Sequence, residues 1–188
     1  FFEFIESIET CNKNRFTLFE ECTKNNIEYI KRSQAPLRLL AKEALENTTQ
    51  SYKKLCNRLL SHQKNNIANL KYVDHIRNIS IAIHDLEKYF LKLVPSSNMI
   101  FSQADAGIHN SIVSKNNSIY LVDMEYAGLD SPLKLHIDYL IHPRNVEFTN
   151  LSQNWTDYFY GNLITDNDLK SINIYNVFFA LQWSLIVL

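Results

Sequence analysis

Apolar positions in the first half of the chain recur at intervals of three and four. From Pro36, which suits a first helical turn, Leu37, Leu40, Ala41, Ala44, Leu45, Tyr52, Leu55 and Leu59 follow the spacing of one helix face. A second stripe of Ile76, Ile79, Ile83, Leu86, Phe90 and Leu93 predicts another helix, with Asp74 placed to cap its start. The pattern breaks at Pro95-Ser96-Ser97-Asn98, and short apolar runs follow: Met99-Ile100-Phe101, Ser111-Ile112-Val113 and Ile119-Tyr120-Leu121-Val122. With Asn116-Asn117 as a hairpin turn, residues 99–122 predict a small antiparallel β insert. Helical spacing resumes at Leu133, through Leu135, Ile137, Tyr139, Leu140 and Ile141, and again over 152–164 and 168–188.

The fold class expected is therefore α+β, mainly α-helical, with one short β segment. Only 3 Gly and 4 Pro punctuate 188 residues, which favours long helices before residue 95. With 46% hydrophobic residues and no repeat or low-complexity linker, one domain over 1–188 is the expectation. It divides into a helical part (1–94), a loop-rich part (95–132) and C-terminal helices (133–188), with 1–34 free to pack more loosely.

The charge, 19 Lys+Arg against 20 Asp+Glu with no block of either sign, argues against a nucleic-acid partner, which needs phosphate neutralisation. Cys11, Cys22 and Cys56 are an odd set without CxxC spacing, and buried reduced thiols in a cytoplasmic protein are expected. The chain opens at Phe1 rather than Met, so the natural start is expected to lie upstream. The apolar run 177–188 is too short for a membrane span, and no membrane partner is expected.

The β segment carries polar residues that packing does not demand: Gln103-Ala104-Asp105-Ala106-Gly107-Ile108-His109-Asn110, then Val122-Asp123-Met124-Glu125-Tyr126-Ala127-Gly128. Phosphoryl transfer from a nucleotide needs a carboxylate to orient and deprotonate the attacking hydroxyl, and oxygen ligands to hold Mg²⁺ against the phosphates. Asp105 and Asn110 can close the two ends of one loop around Gly107, and Asp123 at the end of the next strand can face them. Protein kinases use the same Asp-to-Asn interval followed by a metal-binding Asp. A lone Asp beside Gly more often caps a turn; the joint spacing with Asn110 and Asp123 favours a catalytic origin.

The stretch from Asp105 to Asn110, with Val122 to Gly128 and Asp138, resembles the aminoglycoside phosphotransferase and choline kinase family, most strongly over residues 99–143. The resemblance implies the C-terminal lobe of a protein kinase-like fold and a small-molecule kinase. Such an enzyme moves the γ-phosphoryl group of ATP or GTP to a hydroxyl of an amino sugar, amino alcohol or related metabolite. It implies Asp105 as catalytic base, Asn110 and Asp123 as Mg²⁺ ligands, Glu125 as a metal-facing or outer group, and Asp138 bracing the loop. The family's His two residues before the catalytic Asp is replaced by Gln103, which implies altered loop bracing.

Members also carry an N-terminal lobe with a nucleotide-covering loop and a phosphate-binding Lys, and no GxGxxG or GxxxxGK[ST] motif stands here. That lobe is expected to lie outside this sequence. The alternative is a non-catalytic kinase-like binding or scaffold module. His109 is left out of the catalytic set, and His136 with His142, six residues apart, does not read as a metal pair.

Overall fold

A computed structural model describes residues 2–33, 40–41, 44–45, 47–65, 70–95, 98–146 and 153–188. Six helices and four three-residue strands appear among them, in the order α1 (Phe2–Ser33), α2 (Thr48–Asn65), α3 (Leu70–Phe90), β1 (Ile100–Ser102), β2 (Ser111–Val113), β3 (Ile119–Leu121), β4 (Gly128–Asp130), α4 (Pro132–Ile141), α5 (Gln153–Asn162) and α6 (Asp166–Val187). The chain packs as two compact units, Phe1–Ala44 with Asn98–Leu163, and Leu45–Ser97 with Ile164–Leu188.

The second unit holds α2, α3 and α6, joined by the apolar stripes read from the sequence. Leu55, Leu59, Ile76, Ile83, Leu86 and Phe90 are buried, and Phe90 stacks on Phe178 with ring centroids 4.0 Å apart. Two starts differ from expectation. The helix expected to run on from Pro36 begins at Thr48, where Asn47 Oδ1 accepts from the Gln50 amide at 3.1 Å and caps it. Upstream, Leu40 bridges to Leu129 and the Ala41 amide donates to the Leu129 carbonyl at 2.9 Å; Pro36 and Leu37 lie outside the described residues. Asp74 lies within α3, which already runs from Leu70, so it caps nothing. α6 starts at Asp166, two residues before the expected 168, where Thr165 and Asp168 exchange the paired bonds of a capping box.

The first unit is built on α1, whose Phe16 and Phe19 are fully buried, contrary to the looser packing expected of residues 1–34. Both rings lie against Tyr139 of α4, which stacks on Trp155 of α5 with centroids 4.0 Å apart. Burying each such ring is worth roughly 1.5–3 kcal/mol, so α1 is integral to this core. Tyr139 Oη donates to the buried Glu20 at 2.9 Å, which satisfies both polar groups.

The β segment forms two antiparallel pairs rather than one insert. β2 and β3 make the expected hairpin, closed through Asn117 at φ 61°. β1 instead pairs with β4, Ile100 opposite Asp130 and Ser102 opposite Gly128. Pro132 opens α4, which is buried along almost its whole length, Lys134, His136 and Asp138 included. Lys134 Nζ resolves part of that cost by binding Asp138 at 2.7 Å and Asp130 at 3.1 Å. Burial pulls the Lys134 pKa down, but the two carboxylates outweigh it and hold the ammonium above the usual lysine range.

Of the cysteines, Cys22 and Cys56 are free and part-buried, while the Cys11 side chain lies outside those described. Among the described residues no helix is long and apolar enough to cross a membrane.

Candidate functional site

The loop between β1 and β2 carries Asp105 and Asn110. It leaves β1 through Ala104, which sits at φ 67° with its amide bonded to Ser102 Oγ at 3.1 Å. The left-handed region is unfavourable for alanine, and here it reverses the chain so that the Asp105 amide donates back to the Gln103 carbonyl at 2.9 Å. A single 3₁₀ turn, Ile108–Asn110, ends the loop, with the Asn110 amide donating to the Gly107 carbonyl at 2.9 Å.

Asn110 is buried and joins both flanks of the site. Its Nδ2 donates to the Asp105 carbonyl at 3.3 Å, and its own carbonyl accepts the Val122 amide at 3.0 Å. The second bond brings Asp123, the next residue after Val122, to the end of the loop. Asp123 is exposed and adopts φ 57° and ψ 46°, the second strained residue at this site, before a 3₁₀ turn over Met124–Tyr126 that leaves Glu125 exposed. Its charge acts on His109, as does that of Asp105. The loop thus carries Asp105, His109 and Asn110, and Asp123 follows the strand residue bonded to its end.

Asp105 is held at one oxygen. His142, the residue after α4, has its Nε2 2.8 Å from Asp105 Oδ1, while His109 Nε2 lies 3.7 Å from Oδ2. The Arg144 amide donates to His142 Nδ1 at 3.0 Å, so the ring carries its proton on Nε2 and donates it to Asp105. This bond, ahead of the opposing effect of burial, holds the Asp105 carboxyl below the usual carboxylate range, with the neighbouring His109 and Asn110 adding to it. Partial burial pushes the His109 imidazole below its ordinary value and outweighs the pull of Asp105.

The ligating atoms of Asp105, His109 and His142 lie within 4.8 Å of one another, close enough for one metal ion. The His142 tautomer works against that use, because Nε2 offers a proton rather than a lone pair. Asn110 and Asp123 contribute hard oxygen donors of the kind magnesium takes. With Asn110 Nδ2 committed to the Asp105 carbonyl, Oδ1 is the side-chain atom left for a ligand.

Three residues that brace the loop lie far from it in the sequence. Asn145, fully buried, accepts from the Ile108 amide at 2.8 Å and donates to the carbonyls of Ala106 at 2.7 Å and Tyr139 at 2.9 Å. Arg15 of α1 donates through Nη2 to the carbonyls of Ile108, at 3.1 Å, and Ser111, and through Nε to Ser111 Oγ at 3.3 Å. His142 is the third. Asp138 shares Lys134 with Asp130. The Gln103 side chain is buried, and among the described residues neither end of its amide has a hydrogen-bond partner; Gln103 supports the loop through its backbone carbonyl.

The chain matches no protein-family model, no curated protein and no solved structure at a significant level.

Proposed function

We propose that this protein is the catalytic lobe of a small-molecule kinase, transferring the γ-phosphoryl group of ATP or GTP to a hydroxyl of an amino sugar, amino alcohol or related metabolite. The observation that carries the reading is the pair of bonds through Asn110, which tie the Asp105 loop to the strand end bearing Asp123. A protein kinase-like fold belongs to the same reading, supported by a mainly helical composition with two short antiparallel strand pairs.

In this reading the acceptor hydroxyl oxygen attacks the γ-phosphorus, the bond to the bridging oxygen breaks, and the nucleoside diphosphate leaves. Asp105 orients the hydroxyl and takes its proton on Oδ2, the oxygen that the His142 bond leaves available. A carboxyl held below its usual range stays ionised at neutral pH, as a proton acceptor must. Asn110 and Asp123 would hold Mg²⁺, which when bound neutralises charge on the β- and γ-phosphates. Glu125, exposed beside Asp123, fits an outer role. The nucleotide-covering lobe would come from sequence beyond this chain.

Calorimetric titration of the full-length protein with ATP and GTP, with and without Mg²⁺, tests the assignment. Magnesium-dependent binding is expected. Its absence, for both nucleotides, is the behaviour of a non-catalytic scaffold relative and would end the kinase reading.

A further inference from the structure

We infer that His142 is a positioning residue that fixes the Asp105 carboxylate for reaction, a role resting on the proposed function for its catalytic meaning but not for its geometry. His142 and Asp105 lie 37 positions apart, and their contact is specified at both ends of the imidazole. At one end the Arg144 amide occupies Nδ1; at the other Nε2–H meets Asp105 Oδ1. Each bond requires the other, since a proton on Nδ1 would face the Arg144 N–H and deprive Asp105 of its donor.

The His142 side chain is 4% exposed and that of Asp105 38%. The donor is therefore anchored in protein, while part of the carboxylate faces solvent. A carboxylate with one oxygen tied has its rotamer set, and Oδ2, beside the half-exposed His109, is the oxygen that the His142 bond does not use.

Gly107 gives a second, independent sign that the ring's place is built in. A Cβ added there would lie 2.4 Å from His142 Cε1 and 2.4 Å from His109 Nδ1. The glycine's φ of −84° is open to any residue, so what requires glycine is the close approach of the two imidazoles, stacked at 5.3 Å. Gln103, the other residue placed to support Asp105, makes no side-chain hydrogen bond among the described residues.

Two measurements on the full-length protein test the role. The first is independent of turnover: ¹⁵N-edited spectra of the histidine rings should show His142 with a slowly exchanging proton on Nε2 and none on Nδ1. That Nε2 proton should be lost to solvent exchange in Asp105→Ala. A proton on Nδ1, or a Nε2 proton unaffected by Asp105→Ala, would overturn the inference.

The second uses MgATP with choline, ethanolamine and kanamycin as trial acceptors. His142→Leu should lower kcat by about 100-fold with KM for MgATP changed less than about threefold, and His142→Gln, whose amide can donate near the same point, should recover most of the loss. If His142→Leu fails to fold, Gly107→Ala supplies the test, because it displaces the ring while leaving the residue in place. Unchanged kcat in a folded His142→Leu or Gly107→Ala protein would overturn the role. If the wild-type protein phosphorylates none of the acceptors, that counts against the kinase reading, and the ring spectra alone decide whether His142 holds Asp105.

Discussion

The Val122 amide donates to the Asn110 carbonyl at 3.0 Å, and this bond sets the end of β3 beside the end of the Asp105 loop. Asp123 follows directly, so backbone geometry sets it next in the chain to the residue bonded to Asn110. Asn110→Ala and Asp123→Asn should each raise the Mg²⁺ concentration needed for half-maximal nucleotide binding by about tenfold or more, with helix content unchanged. Calorimetry across a magnesium series reads this directly. An unchanged requirement in both variants would remove them as ligands.

Ala104 occupies the left-handed region at φ 67°, where a Cβ costs roughly 1–2 kcal/mol. Glycine avoids that cost but loses about 0.5–1 kcal/mol through its freer unfolded chain. Ala104→Gly should therefore raise stability by up to about 1.5 kcal/mol in urea unfolding. A loss of comparable size would mean that Ala104 is not strained.

Lys134 sits between Asp130 and Asp138, its side chain 3% exposed. Lys134→Met keeps most of the volume but leaves two buried carboxylates without their cation, and should cost about 3–5 kcal/mol. Pairing it with Asp138→Asn should return part of that stability. Thermal unfolding of the single and double variants gives the comparison, and additive losses would contradict the account.

His136 is buried against the rings of Phe159 and Tyr160, and burial lowers its pKa from about 6.5 to about 4. Between those values the unfolded chain binds a proton that the folded chain refuses, so stability falls as pH drops from about 6.5 to about 4 and levels off below. The full effect is on the order of 3 kcal/mol. Urea unfolding across that range, followed by Trp155 fluorescence in a Trp183→Phe background, should show the slope in the parent and a flatter profile in His136→Leu. Equal slopes would assign the acid sensitivity elsewhere.

The parts of this fold that were legible in the sequence are those decided locally. The β2–β3 hairpin could be read because two short apolar runs flank Asn116-Asn117, and Asn117 tolerates the positive φ the turn needs. The α4 and α6 segments follow from periodicity, which begins at Leu133 and at 168, within two residues of the observed starts Pro132 and Asp166. Asp105, Asn110 and Asp123 fall on loop and strand ends because the apolar runs around them are short.

Distance hid the rest. Leu40 and Ala41 carry helical spacing, yet they bond to Leu129, 88 or more positions away, and that pairing outcompetes a helix start that Asn47 supplies later. The partner of β1 is β4 rather than the nearer hairpin, a choice that alternation alone does not reveal. His142, Asn145 and Arg15 reach the loop across separations of 37 to 96 residues. The run His142-Pro143-Arg144-Asn145 does carry one hint, since proline stops α4 and leaves polar side chains clustered at its end.

Single-turnover transfer of label from γ-labelled ATP to an acceptor by the full-length protein reads whether Asp105 and Asp123 act together on one phosphoryl group. Wild-type protein should transfer the label, Asp105→Asn should be slower by about 10²–10⁴-fold, and Asp123→Asn should lose transfer, with both variants keeping the wild-type circular dichroism spectrum. Transfer at the wild-type rate by either variant would contradict it.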